Sequence, residues 1–358
     1  MTAPIVSICM ASYNHAPFIR TAVESVLRQT FADWELVITD DGSTDGTLAA
    51  LDGITDNRLR IEGFPENRSA CVALNHCIRR ARGRFIAVLN SDDAWAPDKL
   101  AKQLAVMDDQ PQTAAVFTLA AMIDERGQPL PADHPGQQTF NQPNRGRTEW
   151  LRRLIFNGNC LCHPSVLVRS EVYREVGLYD ECMAQLPDLD MWIRICLRYG
   201  IWVIQEPLTF FRLLDRERNA SGNRPEVRLR CTVENMLIAL KSFRDKPADM
   251  AAVLRSASSE SANANAKPPR GPLRDLLDDF DMDTLPLGMG AGQFIWMHEL
   301  LAGSGDWQAC RQFIKRTGDC DAFGVRTREQ LQAQMVPKKP WWETVHPWTW
   351  LKRFTAVS

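Results

Sequence analysis

The chain has 358 residues, of which 45% are hydrophobic and 24% charged, and its formal net charge is −2 at pH 7. These values describe an ordinary globular chain with room for one large domain or two, and they exclude a global electrostatic pull toward nucleic acid. Any basic patch must be local.

The first residues, Met1-Thr2-Ala3-Pro4, carry no charged leader or small-residue cleavage pattern. No stretch approaches the roughly 20 apolar residues that a bilayer crossing needs, so the expected location is cytoplasmic, at most peripheral on the inner face of the membrane. Ten cysteines are spread thinly, and Cys9, Cys77 and Cys196 fall inside apolar periods, as reduced core thiols do. Cys160-Leu161-Cys162-His163 lacks the second Cys/His pair of a structural zinc site.

Ile5 to Met10 is a short apolar run with the look of a strand. Ala11-Ser12-Tyr13-Asn14 follows as a loop, and apolar Ile19, Ala22, Val23, Val26 and Leu27 then keep helical spacing. Asn14 is placed to cap that helix, with Pro17 in its first turn. A second run, Trp34 to Thr39, stops at Asp40-Asp41-Gly42-Ser43, and Ser43, Thr44 and Asp45 are suited to start a helix.

Ala70, Ala73, Leu74, Cys77, Ile78 and Ala81 predict a helix that Gly83 stops. The strand Arg84-Phe85-Ile86-Ala87-Val88-Leu89 then runs into Asn90-Ser91-Asp92-Asp93. Asp is a poor strand former and costly to bury unpaired, so this doublet calls for a divalent cation, Mg2+ or Mn2+, or for a network of donors. Strands alternating with amphipathic helices predict an α/β fold with a mostly parallel sheet covered on both faces, and ligands collect beyond the carboxyl ends of such strands.

From Pro129 to Arg147 the chain reads as a loop. Order resumes over Trp150–Phe156 and Ser165–Arg169, and Pro187 to Arg194 suits a helix with Asp188 and Asp190 in its first turn. Beyond Ser221-Gly222-Asn223 the apolar residues take helical periods, followed by a Ser/Ala/Asn/Pro-rich linker near Ser256 to Pro272. The end, Lys338 to Ser358, mixes Trp341, Trp342, Trp348 and Trp350 with cations. That tail suits packing on its own helices, a membrane surface, or a partner protein.

Ser7 to Asn14, Asp40 to Asp45 and Leu89 to Asp93 resemble the successive motifs of family 2 glycosyltransferases. The similarity continues through His163-Pro164-Ser165, Val176 to Asp180 and Asp188 to Arg194, and so spans about residues 4 to 222. The resemblance implies a GT-A fold over 1–222, with a nucleotide-sugar half (1–105) and an acceptor half (106–222), and a helical region over 223–358. It also implies inverting transfer of a sugar from a nucleotide-diphosphate donor, most often UDP-linked, to a hydroxyl of a glycan or lipid-linked acceptor.

By the same similarity Asp40 accepts from the base, flanked by Tyr13 and the Ala11 backbone, with Asn14 and Asp41 in the same loops. Asp93 holds the metal, Asp92 holds it directly or through water, and Asp188 is the general base. Arg68 either adds charge at the phosphates or is a solvated surface residue. His163 either meets the acceptor or satisfies a loop carbonyl; Asp190 caps its helix or orients the site, and it and Trp192 are the acceptor-side candidates. The sequence departs from the family pattern at Asn90, where another acid is common, at Pro187, and after Arg212, where no histidine follows. Those departures keep open a non-catalytic nucleotide-binding or scaffolding role. A Gly-x-Gly-x-x-Gly dinucleotide loop and a Gly-x-Ser-x-Gly elbow are both missing, against a dehydrogenase and a serine hydrolase.

Overall fold

The computed structural model describes residues 3–214 apart from Ala132, then Asn219, Gly222 and eight helical positions between 227 and 242. The periodic Met236, Leu237, Ala239 and Leu240, the linker near 256–272 and the Trp-rich tail lie outside the described residues.

One mixed eight-stranded sheet organises the chain, in the order β3-β2-β1-β4-β7-β6-β8-β5. Strands β1 (Val6–Ser12), β2 (Trp34–Asp40), β3 (Leu59–Gly63) and β4 (Phe85–Val88) run parallel. Beyond β4, the short β7 (Leu167–Arg169) pairs antiparallel with both β4 and β6 (Thr113–Ile123). β6 then pairs parallel with β8 (Gly200–Arg212), whose other edge takes β5 (Ala94–Trp95) antiparallel.

All of β2 and β4, and all of β1 except Ala11, are buried, which is why their sequences read as unbroken apolar runs. Alternate residues feed two cores. Ile8, Leu36 and Phe85 face α1 (Ile19–Leu27) and α3 (Lys99–Asp109), while Cys9, Val37 and Ile86 face α2 (Ala70–Arg80), α4 (Arg147–Asn157) and α6 (Pro187–Cys196). The short α5 (Ser170–Val176) follows β7 and adds Val172 and Tyr173 to the second core. Ile238 enters that core as well, so the described part of 227–242 packs on this body.

Three local expectations change. Asn14 does not cap α1, which starts after Phe18; it sits at φ 51 and its side chain turns to the β2 loop. The segment after Ser43 forms only a 3-10 turn over Ala49–Leu51, because Ser43 and Asp45 engage the loop itself. Gly83 does not end α2, which stops at Arg80. A side chain at 83 would come within 2.5 Å of the Ser7 nitrogen, so the glycine permits close approach to β1.

Candidate active site

The parallel pairing sets Ser12 opposite Asp40, so the loops after β1 and β2 leave the sheet side by side. Asn14 N–H donates to Ser43 Oγ at 2.8 Å, and Asn14 Oδ1 accepts from Thr44 N–H at 2.9 Å. His15 and Ala16 amides donate to Thr47 Oγ1 and Asp45 Oδ2. These reciprocal bonds leave little freedom to either loop, and they leave Tyr13 exposed at the tip.

Both Asp40 oxygens accept from Ser43, its amide at 2.8 Å and its hydroxyl at 2.6 Å. Asp41 accepts from the Arg68 and Ser69 amides at 2.7 and 3.0 Å, and burial pushes it above the ordinary carboxylate range. Arg68 thus contributes its backbone here, while its exposed guanidinium lies 5.0 Å over the Phe64 ring.

The β4 doublet is fixed from the far side of the sheet. β5 places Ala94 opposite Phe210, which carries the adjacent residues to the end of β8. Arg212 N–H donates to Asp93 Oδ1 at 2.7 Å, and Asn90 Nδ2 donates to Asp93 Oδ2 at 3.0 Å. The Arg212 guanidinium is aimed at carbonyls instead, those of Asp92, Asp124 and Glu125. His15 Nδ1 lies 2.7 Å from Ser91 Oγ and ties this loop to the first.

The doublet fits a divalent cation. Burial first, then the Asp92 charge beside it, holds Asp93 well above the usual carboxylate range, and burial raises Asp92 too. Asp92 is partly exposed where Asp93 is buried, so it is the more open of the two. No group of three or more His, Cys, Asp or Glu side chains suited to a metal occurs among the described residues. Oxygens of a bound ligand or of water would complete any coordination sphere.

Asp188 opens α6, half-buried. Its Oδ2 accepts from Asn159 Nδ2 at 2.5 Å and its Oδ1 from the Leu189 amide at 2.8 Å. Burial raises its pKa to about 6 despite those donors. The 162–165 turn connects it to the doublet. Trp95 Nε1 donates to the Pro164 carbonyl at 2.7 Å, and the buried Cys162 thiol feels both Asp93 and Asp188.

His163 pairs with a tyrosine rather than a loop carbonyl. Its Nε2 lies 3.0 Å from Tyr179 Oη, and burial lowers its pKa to about 4, so it is neutral. Asp190 is buried in a salt bridge to Arg194, Nη2 to Oδ2 at 2.6 Å, and Trp192 is fully buried edge-on to Phe117. Both are buried. The sequence reading missed Asn159, His15 and Ser91, and gave Arg212 no task; each acts through a partner 29 to 119 residues away, with no local pattern to announce it.

Residues 7–177 match the family model described as glycosyl transferase family 2. The matched stretch is just under half of the chain. Over 129 residues it is 42% identical to the putative teichuronic acid biosynthesis glycosyltransferase TuaG of Bacillus subtilis, covering 36% of this chain and 51% of that relative. The chain thus spans about half of TuaG.

The fold resembles S. aureus TarS 1-349 in complex with UDP-GlcNAc, with a TM-score of 0.57, 18% identity and 93% of each chain covered. It also resembles the mannosyltransferase PcManGT of Pyrobaculum calidifontis in complex with GDP-Man and Mn2+, with a TM-score of 0.52 and 15% identity over 91% of this chain and 89% of that one. These likenesses establish the GT-A fold. Among the described residues no helix is long and apolar enough to cross a membrane.

Proposed function

We propose that the chain transfers a sugar from a nucleotide-diphosphate donor, UDP-linked by preference, to a hydroxyl of a cell-surface glycan or its lipid-linked precursor. Asp188 is the observation that carries this reading. It is a carboxylate with one oxygen fixed by Asn159, poised near pH 6, beside a turn that also borders the acid doublet.

A sugar hydroxyl is a poor nucleophile at neutral pH, and a base with a pKa near the working pH removes its proton most effectively. Asp188 takes that proton as the oxygen attacks the anomeric carbon. One in-line displacement inverts the centre. Tyr13 and the Asp40–Asp41 turn bound the nucleoside side, a division that matches the donor half over 1–105 and the acceptor half over 106–222. Asp92 and Asp93 would hold a divalent cation, which when bound offsets diphosphate charge and so favours its departure.

The test is a screen of common UDP- and GDP-sugars with Mg2+ or Mn2+, followed by Asp188→Asn. Transfer should vanish while nucleotide binding, read by tryptophan fluorescence, stays native. Substantial transfer by that variant would remove Asp188 from the mechanism. The native rate should fall below pH of about 6, as the base becomes protonated.

A further inference from the structure

The segment that leads into Asp188 is held by a side chain from far along the chain. Val227, Arg230, Cys231, Glu234, Asn235, Ile238, Lys241 and Ser242 are helical positions at three- and four-residue spacing, one helix face. From that face the wholly buried Glu234 accepts hydrogen bonds from three consecutive amides: Ala184 at 2.7 Å, Gln185 at 2.9 Å and Leu186 at 2.6 Å.

Leu186 is the residue just before α6, which has no side-chain cap of its own and begins on Pro187, a residue without an amide proton. A carboxylate there also meets the positive end of the helix. Two turns on, Lys241 pairs with Asp180 and lies 3.9 Å from Asp190, while Ile238 is packed in the core. An apolar residue at 234 would pack without the desolvation cost of a buried charge. A carboxylate given three amide donors instead fixes the path of 184–186.

We propose that Glu234 is a positioning residue of the transfer site: it locks the 184–186 segment, sets the place of Asp188, and makes its helix part of the catalytic unit. This rests on the reading of Asp188 as base.

Asp188 has Glu234 and Cys231 as titratable neighbours on this helix, Cys71 on α2, Cys162 before the 163–165 turn and Tyr179 in the loop before α6. Burial pushes the three thiols and the phenol up, so they are neutral near pH 7. Asp180 and Glu181 approach the same thiol on α2, but they are paired with Lys241 and Arg79; Arg230 faces Glu234. Glu234 is the neighbour whose charge acts to raise Asp188.

The experiment uses the full chain and the nucleotide sugar with the highest turnover among UDP-glucose, UDP-galactose, UDP-N-acetylglucosamine and GDP-mannose. Glu234→Gln should lower kcat about tenfold with donor KM nearly native, as misplacement of a catalytic group does. Its acid limb should move down by about half a pH unit, since a like charge has gone. Glu234→Asp keeps the charge and should return the limb to its native place while recovering only part of the rate.

A native acid limb in Glu234→Gln, with or without a loss of melting temperature, overturns the proposal. If that variant does not fold, Glu234→Asp decides alone: reduced kcat with a native limb supports it, and native kcat overturns it. Asp188→Asn keeps the two ideas apart. Transfer retained there sinks the base reading, whereas transfer lost there and native kinetics in Glu234→Gln sink only the role of Glu234.

Discussion

In the half of the molecule built on β3, β2, β1 and β4, carboxylates at strand ends are held by their own loops and the loops beside them. Asp40 binds Ser43, Asp45 binds Thr47, and Asp41 is met by the Arg68 and Ser69 amides at the start of α2. In the other half the holding groups come from, or just beyond, helical elements packed against α6 rather than from neighbouring strand loops. Asp188 depends on Asn159, and the turn before it on Glu234. The first arrangement is set once the parallel strands pair. The second exists only when β7, α4, α6 and the 227–242 helix face have all packed, so substitutions remote from it should reach the chemistry more readily.

Asp93 joins the halves, since it follows β4 but accepts from the end of β8. Asp93→Ala should therefore have the largest effect. Turnover should fall about 100-fold or more through loss of charge stabilisation at the diphosphate. The same change leaves the buried Arg212 amide without an acceptor, which costs about 1–3 kcal/mol of stability. Steady-state kinetics and denaturant titration measure the two losses. If stability drops and turnover does not, the doublet is a structural joint alone.

Asn159→Ala tests the half held by helical elements directly, and the sign of its pH effect is informative. Asn159 donates to Asp188 and so lowers its pKa; without that donor the carboxyl rises further above about 6. The acid limb should move to higher pH, opposite to the direction expected for Glu234→Gln. At pH 7 kcat should fall about tenfold, from both protonation and misorientation. An unshifted limb would mean that the limb does not report Asp188.

The same contrast explains what could be read without a structure. The strands β1, β2 and β4 and the helix α2 were legible because burial on both sheet faces leaves a continuous apolar run and a helix leaves its period. The Asp40–Asp41 and Asp92–Asp93 turns were legible for the same reason, as acids stranded at the ends of apolar runs. The strands β5, β6 and β8 were not: Ala94–Trp95 is two residues long, the alanine-rich run Thr113–Ile123 reads as well as a buried helix, and Gln205, Glu206 and Pro207 interrupt Gly200–Arg212. Asp190 and Trp192 were assigned to the acceptor side because they adjoin Asp188 in sequence. On a helix, the position two residues from Asp188 turns toward another face, here the Arg194 salt bridge, while Trp192, one turn on, is fully buried against the Phe117 ring. Glu234 had no local signal at all: its three partners lie 48 to 50 residues earlier.

Two glycines sharpen the comparison through stability alone, with no change expected in the chemistry. Gly42, in the β2 loop, has φ +73, and a Cβ there would sit 2.6 Å from the Glu66 carbonyl carbon and 2.8 Å from the Asn67 nitrogen. Both are backbone atoms just ahead of the amides that hold Asp41, so neither can move aside without loosening that carboxylate. Gly158, which ends α4 just ahead of Asn159, has φ +75 but nothing within 4 Å of such a Cβ. Gly158→Ala should therefore cost only the backbone term, about 1–3 kcal/mol at ψ −172, whereas Gly42→Ala adds collision to its own backbone term and should cost more. Chemical denaturation of the two variants gives the difference. Equal losses would mean that the β2 loop yields as freely as the end of α4, and the tight stitching of Asn14, Ser43 and Thr44 would then not make the half built on β1 to β4 the more rigid one.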